Sequence, residues 1–222
     1  MKKKVLHIVG SLNQTKQLHK ISLEMPEYDH YFTQYFGEGI FFKWIAESGL
    51  VDWTIMGTNS AFRKEQKSYL QKVQAKYDYR GEQYRDEYEL VFMCSDLMVP
   101  AKFYNAKLVF VQEGMTDPVS NKSMLVRKLR LPGWMTGDTS LNGCSNQCDL
   151  YCVASEGYAK FFTEMGTDEY KIRVTGIPNF DHAASFINND FPLRNYVLVC
   201  TSDIREVGGK EDRMEFCKVV KI

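Results

Sequence analysis

The sequence predicts an α/β fold with a doubly wound, mostly parallel sheet. Three observations lead there. Short, continuous apolar runs recur along the chain, longer stretches of helical spacing separate several of them, and glycine or proline closes several segments. Hydrophobic residues make up 44% and charged residues 25% of 222 residues, enough apolar material for a real core and too much for a disordered chain.

Residues 5–9 form an apolar run with one histidine, ending in Gly10, as a strand buried on both faces reads. Residues 13–25 follow with Leu18, Ile21, Ser22 and Met25 at helical spacing, stopped by Pro26. Residues 30–36 alternate as a second strand, 40–48 read as a short helix closed by Gly49, and 59–76 are rich in good helix formers. Four further strands are expected at 90–93, 108–111, 150–153 and 172–174, with helices at 124–131 and 158–165. Crossovers in such a sheet gather every carboxyl strand end on one edge, where ligands bind.

After residue 178 the pattern changes. Residues 188–195 read as a linker, so that 1–187 form one domain. Residues 196–222, with a strand at 196–200 and a helix at 212–221, read as the start of an incomplete second one. One strand and one helix cannot bury their own apolar faces.

Twenty-eight basic residues balance 28 acidic ones, which gives no support to bulk electrostatic binding of nucleic acid. The start, Met1-Lys2-Lys3-Lys4, imitates a signal-peptide head, but the apolar run behind it is too short and contains His7. The expected location is therefore cytoplasmic. Cys94, Cys152 and Cys200 lie in apolar runs and read as reduced, core-packed thiols, and the spacing of Cys144, Cys148 and Cys152 is not a zinc pattern. No metal and no cofactor are expected.

The turn from Gly10 through Ser11 and Asn13 to Lys16 links the first strand to the first helix. It fits either an anion-binding helix start or a plain connection. Glu113 follows a buried strand and precedes Gly114. It fits a general base at the ligand-binding edge, and equally a helix cap or a partner for a nearby cation. Asp96 also ends a buried strand, with a helix N-cap as its alternative role. Asp138 and Asp117 are further candidate catalytic acids in loops, with plain solvation as the alternative, and Glu38, in the turn Gly37-Glu38-Gly39, fits either a loop near a ligand or a surface turn. Residues 119–135 carry Lys122, Arg127, Lys128 and Arg130, no acid, and interleaved apolar residues. They read either as a surface for anionic membranes or as an ordinary helix with its stripe in the core.

Several turns together resemble GT-B glycosyltransferases and their relative, UDP-N-acetylglucosamine 2-epimerase. Val9-Gly10-Ser11 falls at the epimerase's first glycine turn, Thr33-Gln34-Tyr35 is similar to its TGQHYD element, and Cys94-Ser95-Asp96 stands where it has GDT. Val111-Gln112-Glu113-Gly114-Met115 resembles its VEAGL. Residues 149–156 and 172–178, with Met165-Gly166 between, resemble the DLLFAPTE and I-x-VTGN segments that end its first domain.

The likeness covers about residues 4 to 206 and implies a Rossmann-like acceptor-side domain. The expected donor is a nucleotide sugar, most simply a UDP-sugar, and the expected acceptor a glycan or lipid-linked hydroxyl in surface polysaccharide or glycolipid synthesis. Peripheral contact with the inner membrane face would run through 119–135. In the family the turn at Gly176 leads towards the interdomain cleft, though the glycine also simply relieves the turn, and Arg205 fits either a donor-phosphate contact there or an ordinary exposed arginine.

The departures weigh against epimerisation. Ser202 and Asp203 replace the epimerase's histidine and arginine, Gln112 replaces its VEAGL glutamate, and residues 137–141 keep one acid of PEE-x-NR and lose its arginine. The expectations are a glycosyltransferase fragment, inactive by itself, with two alternatives: an epimerase-like enzyme, or a non-catalytic interaction remnant.

Overall fold

The computed structural model describes residues 2–34, 60–97, 99–188, 190–193, 195 and 218, with the side chains of 60–63 excepted. Residues 1–184 form one unit and 185–222 a second. Within the first, β1 (Lys4–Val9), α1 (Leu12–Leu23), β2 (Asp29–Gln34), α2 (Ser60–Lys72) and β3 (Lys76–Tyr77) come first. β4 (Tyr88–Met93), β5 (Lys107–Val111), α3 (Asn121–Lys128), β6 (Leu150–Val153), α4 (Glu156–Glu164) and β7 (Ile172–Val174) follow. The strands make one seven-stranded sheet in the order β3-β2-β1-β4-β5-β6-β7, and every pairing is parallel.

The apolar runs are continuous because both faces of the sheet are covered. Leu6, Ile8, Val91, Met93, Leu108, Phe110, Tyr151 and Val153 pack on one face, together with Phe162 of α4. Val5, Val9, Phe92, Cys94, Val109 and Val111 alternate with them and pack on the other, with Leu18 of α1 and Leu70 of α2. Successive residues of a strand point to opposite faces, so helices on both sides require apolar residues at every position. The fully buried Phe162 alone contributes roughly 1.5–3 kcal/mol of apolar burial.

The chain winds outward from β1 to β3, then returns to lay β4 on the other side of β1. That reversal creates the crevice at the carboxyl ends of the central strands, the place where open parallel sheets take ligands. The opposite, amino edge is laced by surface ion pairs, Lys3–Glu89, Lys4–Glu87, Lys76–Asp29 and Lys107–Asp149, each worth little individually.

Two boundaries differ from the sequence expectation. The helix expected to run to residue 76 stops at Lys72, because Gln74 takes a left-handed conformation (φ 54°). The Ala75 amide then donates to Leu70 O and the Gln74 amide to Gln71 O. This is a Schellman turn without its usual glycine, and it frees Lys76–Tyr77 to pair with β2 as an edge strand. The helix expected at 124–131 is the second difference, since it runs from Asn121 to Lys128. Only Ser123 and Val126 of that helix are buried, while Met124, Leu125 and, just beyond it, Leu129 and Leu131 are exposed. The expected helix at 40–48 and strand at 196–200 lie outside the described residues, as does the helix at 212–221 apart from Lys218. Among the described residues no helix is long and apolar enough to cross a membrane.

One core group sets a pH limit. His7 is fully buried, stacked between Phe32 and Phe92, with its Nε2 3.0 Å from His30 Nδ1 and its Nδ1 unpartnered. Burial, reinforced by the neighbouring His30 and His19, holds its pKa well below the ordinary histidine value. The folded state therefore favours neutral His7. That stability is complete above the unfolded-chain pKa of about 6.5 and is lost as pH falls below it. Urea unfolding between pH 7.5 and 5 should show stability declining by up to about 1.4 kcal/mol per pH unit per proton taken up. A curve flat across that range would contradict the assignment.

Candidate functional site

The site is built where β1 meets α1. Ser11 is the N-cap of α1, with extended backbone and a side chain accepting from the Gln14 amide at 3.0 Å, a bond of about 1 kcal/mol. Gln14 stands at the third helical position of an S-x-x-Q pattern. Its Oε1 accepts from the Gly10 amide at 2.8 Å, which leaves its Nε2 pointing out of the turn. A Cβ on Gly10 would lie 2.7 Å from Gln14 Oε1, so a side chain there would displace the Gln14 amide from its bond.

Glu113, just past β5, lies over this turn. Its Oε1 accepts from Ser11 Oγ at 3.1 Å and Asn13 Nδ2 at 2.9 Å, and its Oε2 accepts from Gln14 Nε2 at 2.7 Å. Neither of the two structural alternatives, a cap for the following helix or a partner for a cation, fits this placement. Ser120, not Glu113, caps α3, and among the described residues Glu113 is in no ion pair. Instead it is held at the positive end of the α1 dipole by neutral donors. An ionised carboxylate has about four acceptor positions. With these three bonds made, roughly one remains, on Oε2.

Below the carboxylate the floor is made of glutamines. Gln17, fully buried, donates from Nε2 to Gln112 O at 2.9 Å. Gln66 of α2 donates to Gly10 O and accepts from Gln34 Nε2, each at 2.5 Å. Gln112 is buried, and its amide side chain joins the ends of β5 and β6, donating to Gly114 O at 2.8 Å and accepting from the Ala154 amide at 2.9 Å. Burial, and then the Glu113 charge, push the neighbouring Cys94 thiol well above its usual pKa.

Gly176 has φ 80° and turns the chain after β7 back across α1. Asn179 then donates to Asn13 Oδ1 at 2.8 Å, and Lys20 to Pro178 O at 3.2 Å. Thus Gly10, Ser11, Asn13, Gln112, Glu113 and Gly114 share one edge, and the turn that begins at Gly176 is tied to it through Asn13. Among the described residues, Gly114's own chain neighbours apart, no atom lies within 4 Å of its Cβ position, so that position is open.

The other acids lie elsewhere. Asp96 is buried and begins no helix of its own. Its carboxylate accepts from the amides of Gly143 (2.6 Å) and Ser145 (2.8 Å), while its own amide donates to Asn142 Oδ1. Burial raises its pKa against the lowering effect of those bonds. Asp138 is bound inside its own loop by the Ser140 amide and hydroxyl. Partial burial raises its pKa, but the Ser140 and Thr136 bonds and Lys122 outweigh this and hold it below the usual carboxylate range. Asp117 accepts from the amide and hydroxyl of Thr139. Glu38 and Arg205 lie outside the described residues.

Among the described residues no group of three His, Cys, Asp or Glu side chains is placed to hold a metal. Burial pushes the Cys144 thiol up to about 12 and that of Cys148 up to about 11.

Sequence reading passed over Gln14, Gln17 and Gln66. For Gln14 the S-x-x-Q capping pattern was the available signal. Gln17 and Gln66 carry none, because their partners lie far away along the chain.

The bonding of Asp96 generates a stability test. Asp96→Asn turns an acceptor of two buried amides into a group that presents a donor to one of them. Urea unfolding should register a loss of about 1–3 kcal/mol, the usual cost of an unsatisfied buried polar group. A change below about 0.5 kcal/mol would show that the carboxylate is not holding the 142–145 loop.

No protein-family model matches this chain, and no curated protein matches it.

Proposed function

We propose that the first unit is the acceptor side of a nucleotide-sugar-dependent glycosyltransferase of the GT-B type, with Glu113 as its base. The carrying observation is a carboxylate held by three neutral donors and, among the described residues, by no cation. It sits at the carboxyl edge of a parallel sheet, with one acceptor position open and empty space above the adjacent Gly114. A sugar hydroxyl fits that position. As its oxygen attacks the anomeric carbon of a donor, the bond to the nucleotide phosphate breaks, the nucleotide leaves as an anion, and the hydroxyl proton passes to Oε2. The three neutral donors keep their bonds, because the proton arrives at the unoccupied position.

The alternative epimerase reading has less support. Gln112, which replaces that enzyme's glutamate, has both ends of its amide engaged in joining strand ends. A membrane-borne acceptor is supported by α3 and the residues after it. Exposed Met124, Leu125 and Leu129 stand among Lys122, Arg127 and Lys128, the composition of helices that lie on anionic bilayers. A UDP-sugar as donor rests on the sequence likeness alone.

Saturation-transfer NMR with a panel of methyl glycosides tests the acceptor reading on the 222-residue chain. At least one glycoside should receive saturation. Glu113→Gln should weaken its binding by about tenfold, the scale of one hydrogen bond to a charged group. Transfer to no glycoside, or equal binding by the variant, would contradict the proposal.

A further inference from the structure

A second cleft, of about 530 Å³, opens beside the end of β4, between Leu97, Val99 and Tyr104 and the stretch that carries Arg127, Arg130 and Trp134. Arg127 is half-buried. Its guanidinium offers five N–H donors, and the hydrogen bond it makes is to Met165 Sδ at 3.7 Å, a weak acceptor. Among the described residues neither Arg127 nor Arg130 is in an ion pair. The acid of this cleft, Asp96, has its oxygens committed to the Gly143 and Ser145 amides.

Both arginines line this cleft for a local reason. Arg130 has φ 53°, and the Leu131 amide donates to Val126 O, so a second glycine-free Schellman turn ends the helix and sets Arg130 three residues from Arg127 at one wall. The helix dipole accounts for a cation in the last turn. It does not account for two arginines among the residues that line one cleft together with the exposed Tyr104 and Trp134. Arginines and aromatic rings in one cleft match a phosphate attached to a ring or apolar group.

We infer that this cleft binds a phosphate-bearing ligand. Arg127 and Arg130 hold the phosphate, and Trp134 and Tyr104 receive the group attached to it. The inference does not use Glu113 and stands apart from the sugar-transfer reading. The phosphate comes from a soluble ester or from a lipid headgroup reached across the exposed Leu125 and Leu129.

The test titrates the 222-residue chain with inorganic phosphate and phenyl phosphate by calorimetry, and separately with phosphatidic acid and phosphatidylcholine vesicles by flotation. Saturable phenyl phosphate binding, tighter than that of inorganic phosphate, identifies a soluble ester. Binding to phosphatidic acid vesicles alone identifies a headgroup. In either case Arg127→Gln with Arg130→Gln should weaken binding by at least about tenfold, and Trp134→Ala should remove the advantage of phenyl over inorganic phosphate. Arg130→Gln alone, at an exposed position, should weaken binding severalfold and serves if the double variant does not fold. Binding of none of the probes, equal flotation with phosphatidylcholine, or affinity unchanged by the arginine substitutions would overturn the inference.

Discussion

The Glu113 carboxylate is the contact around which the carboxyl edge of the sheet is organised. It joins the end of β5 to the first turn of α1 by three hydrogen bonds, all from neutral donors. A lysine or arginine in their place would neutralise the charge and fill the remaining lone pair. Hydroxyl and amide donors fix the orientation of the group and bring no opposite charge to it. The turn beneath is fixed in its own right, by the Ser11 cap and by the Gly10 amide bonded to Gln14. The turn that holds the carboxylate thus follows directly from β1, the strand at which the winding reverses.

The two edges of the sheet are treated differently. At the amino edge, opposite charges meet across strand ends and water screens them. At the carboxyl edge the acids are individually occupied. Asp96 accepts from two loop amides, Asp138 from the Ser140 amide and hydroxyl, and Asp117 from the Thr139 amide and hydroxyl, whereas Glu113 accepts from three side chains of the α1 turn. Apolar strands buried on both faces leave little else for chemistry, because each internal side chain is needed for packing. Function is therefore confined to the turns. The cleft with Arg127 and Arg130 follows the same rule on the far side of β4, where a helix ends early and its last turn is left facing solvent.

Much of the sheet was legible because a strand covered on both faces shows as an unbroken apolar run. The runs around Val5, Val91, Val109 and Tyr151 gave their strands directly, and the helices between them implied parallel pairing. The short β3 was not legible, since its two residues are exposed and its preceding helix ends at Gln74, a residue with no steric licence for the left-handed turn it adopts. The α3 stripe misleads for a related reason. Helical spacing gives the face of an apolar residue, not whether another element comes to cover it. Glu113 and Asp96 have the same sequence signature, an acid just after a buried strand. What separates them is the Asn142-Gly143 loop reaching Asp96 from more than forty residues away, a long-range contact that no local pattern encodes.

The side-chain amide resonances of Asn13 and Gln14 report most directly on the central claim, because both groups donate to the Glu113 carboxylate. In a two-dimensional nitrogen–proton NMR titration with a glycoside, the account predicts that these signals shift together and saturably as a sugar hydroxyl takes the remaining acceptor position. Signals that stay fixed while the glycoside binds would place the sugar elsewhere and contradict the assignment of Glu113 as the acceptor-side base.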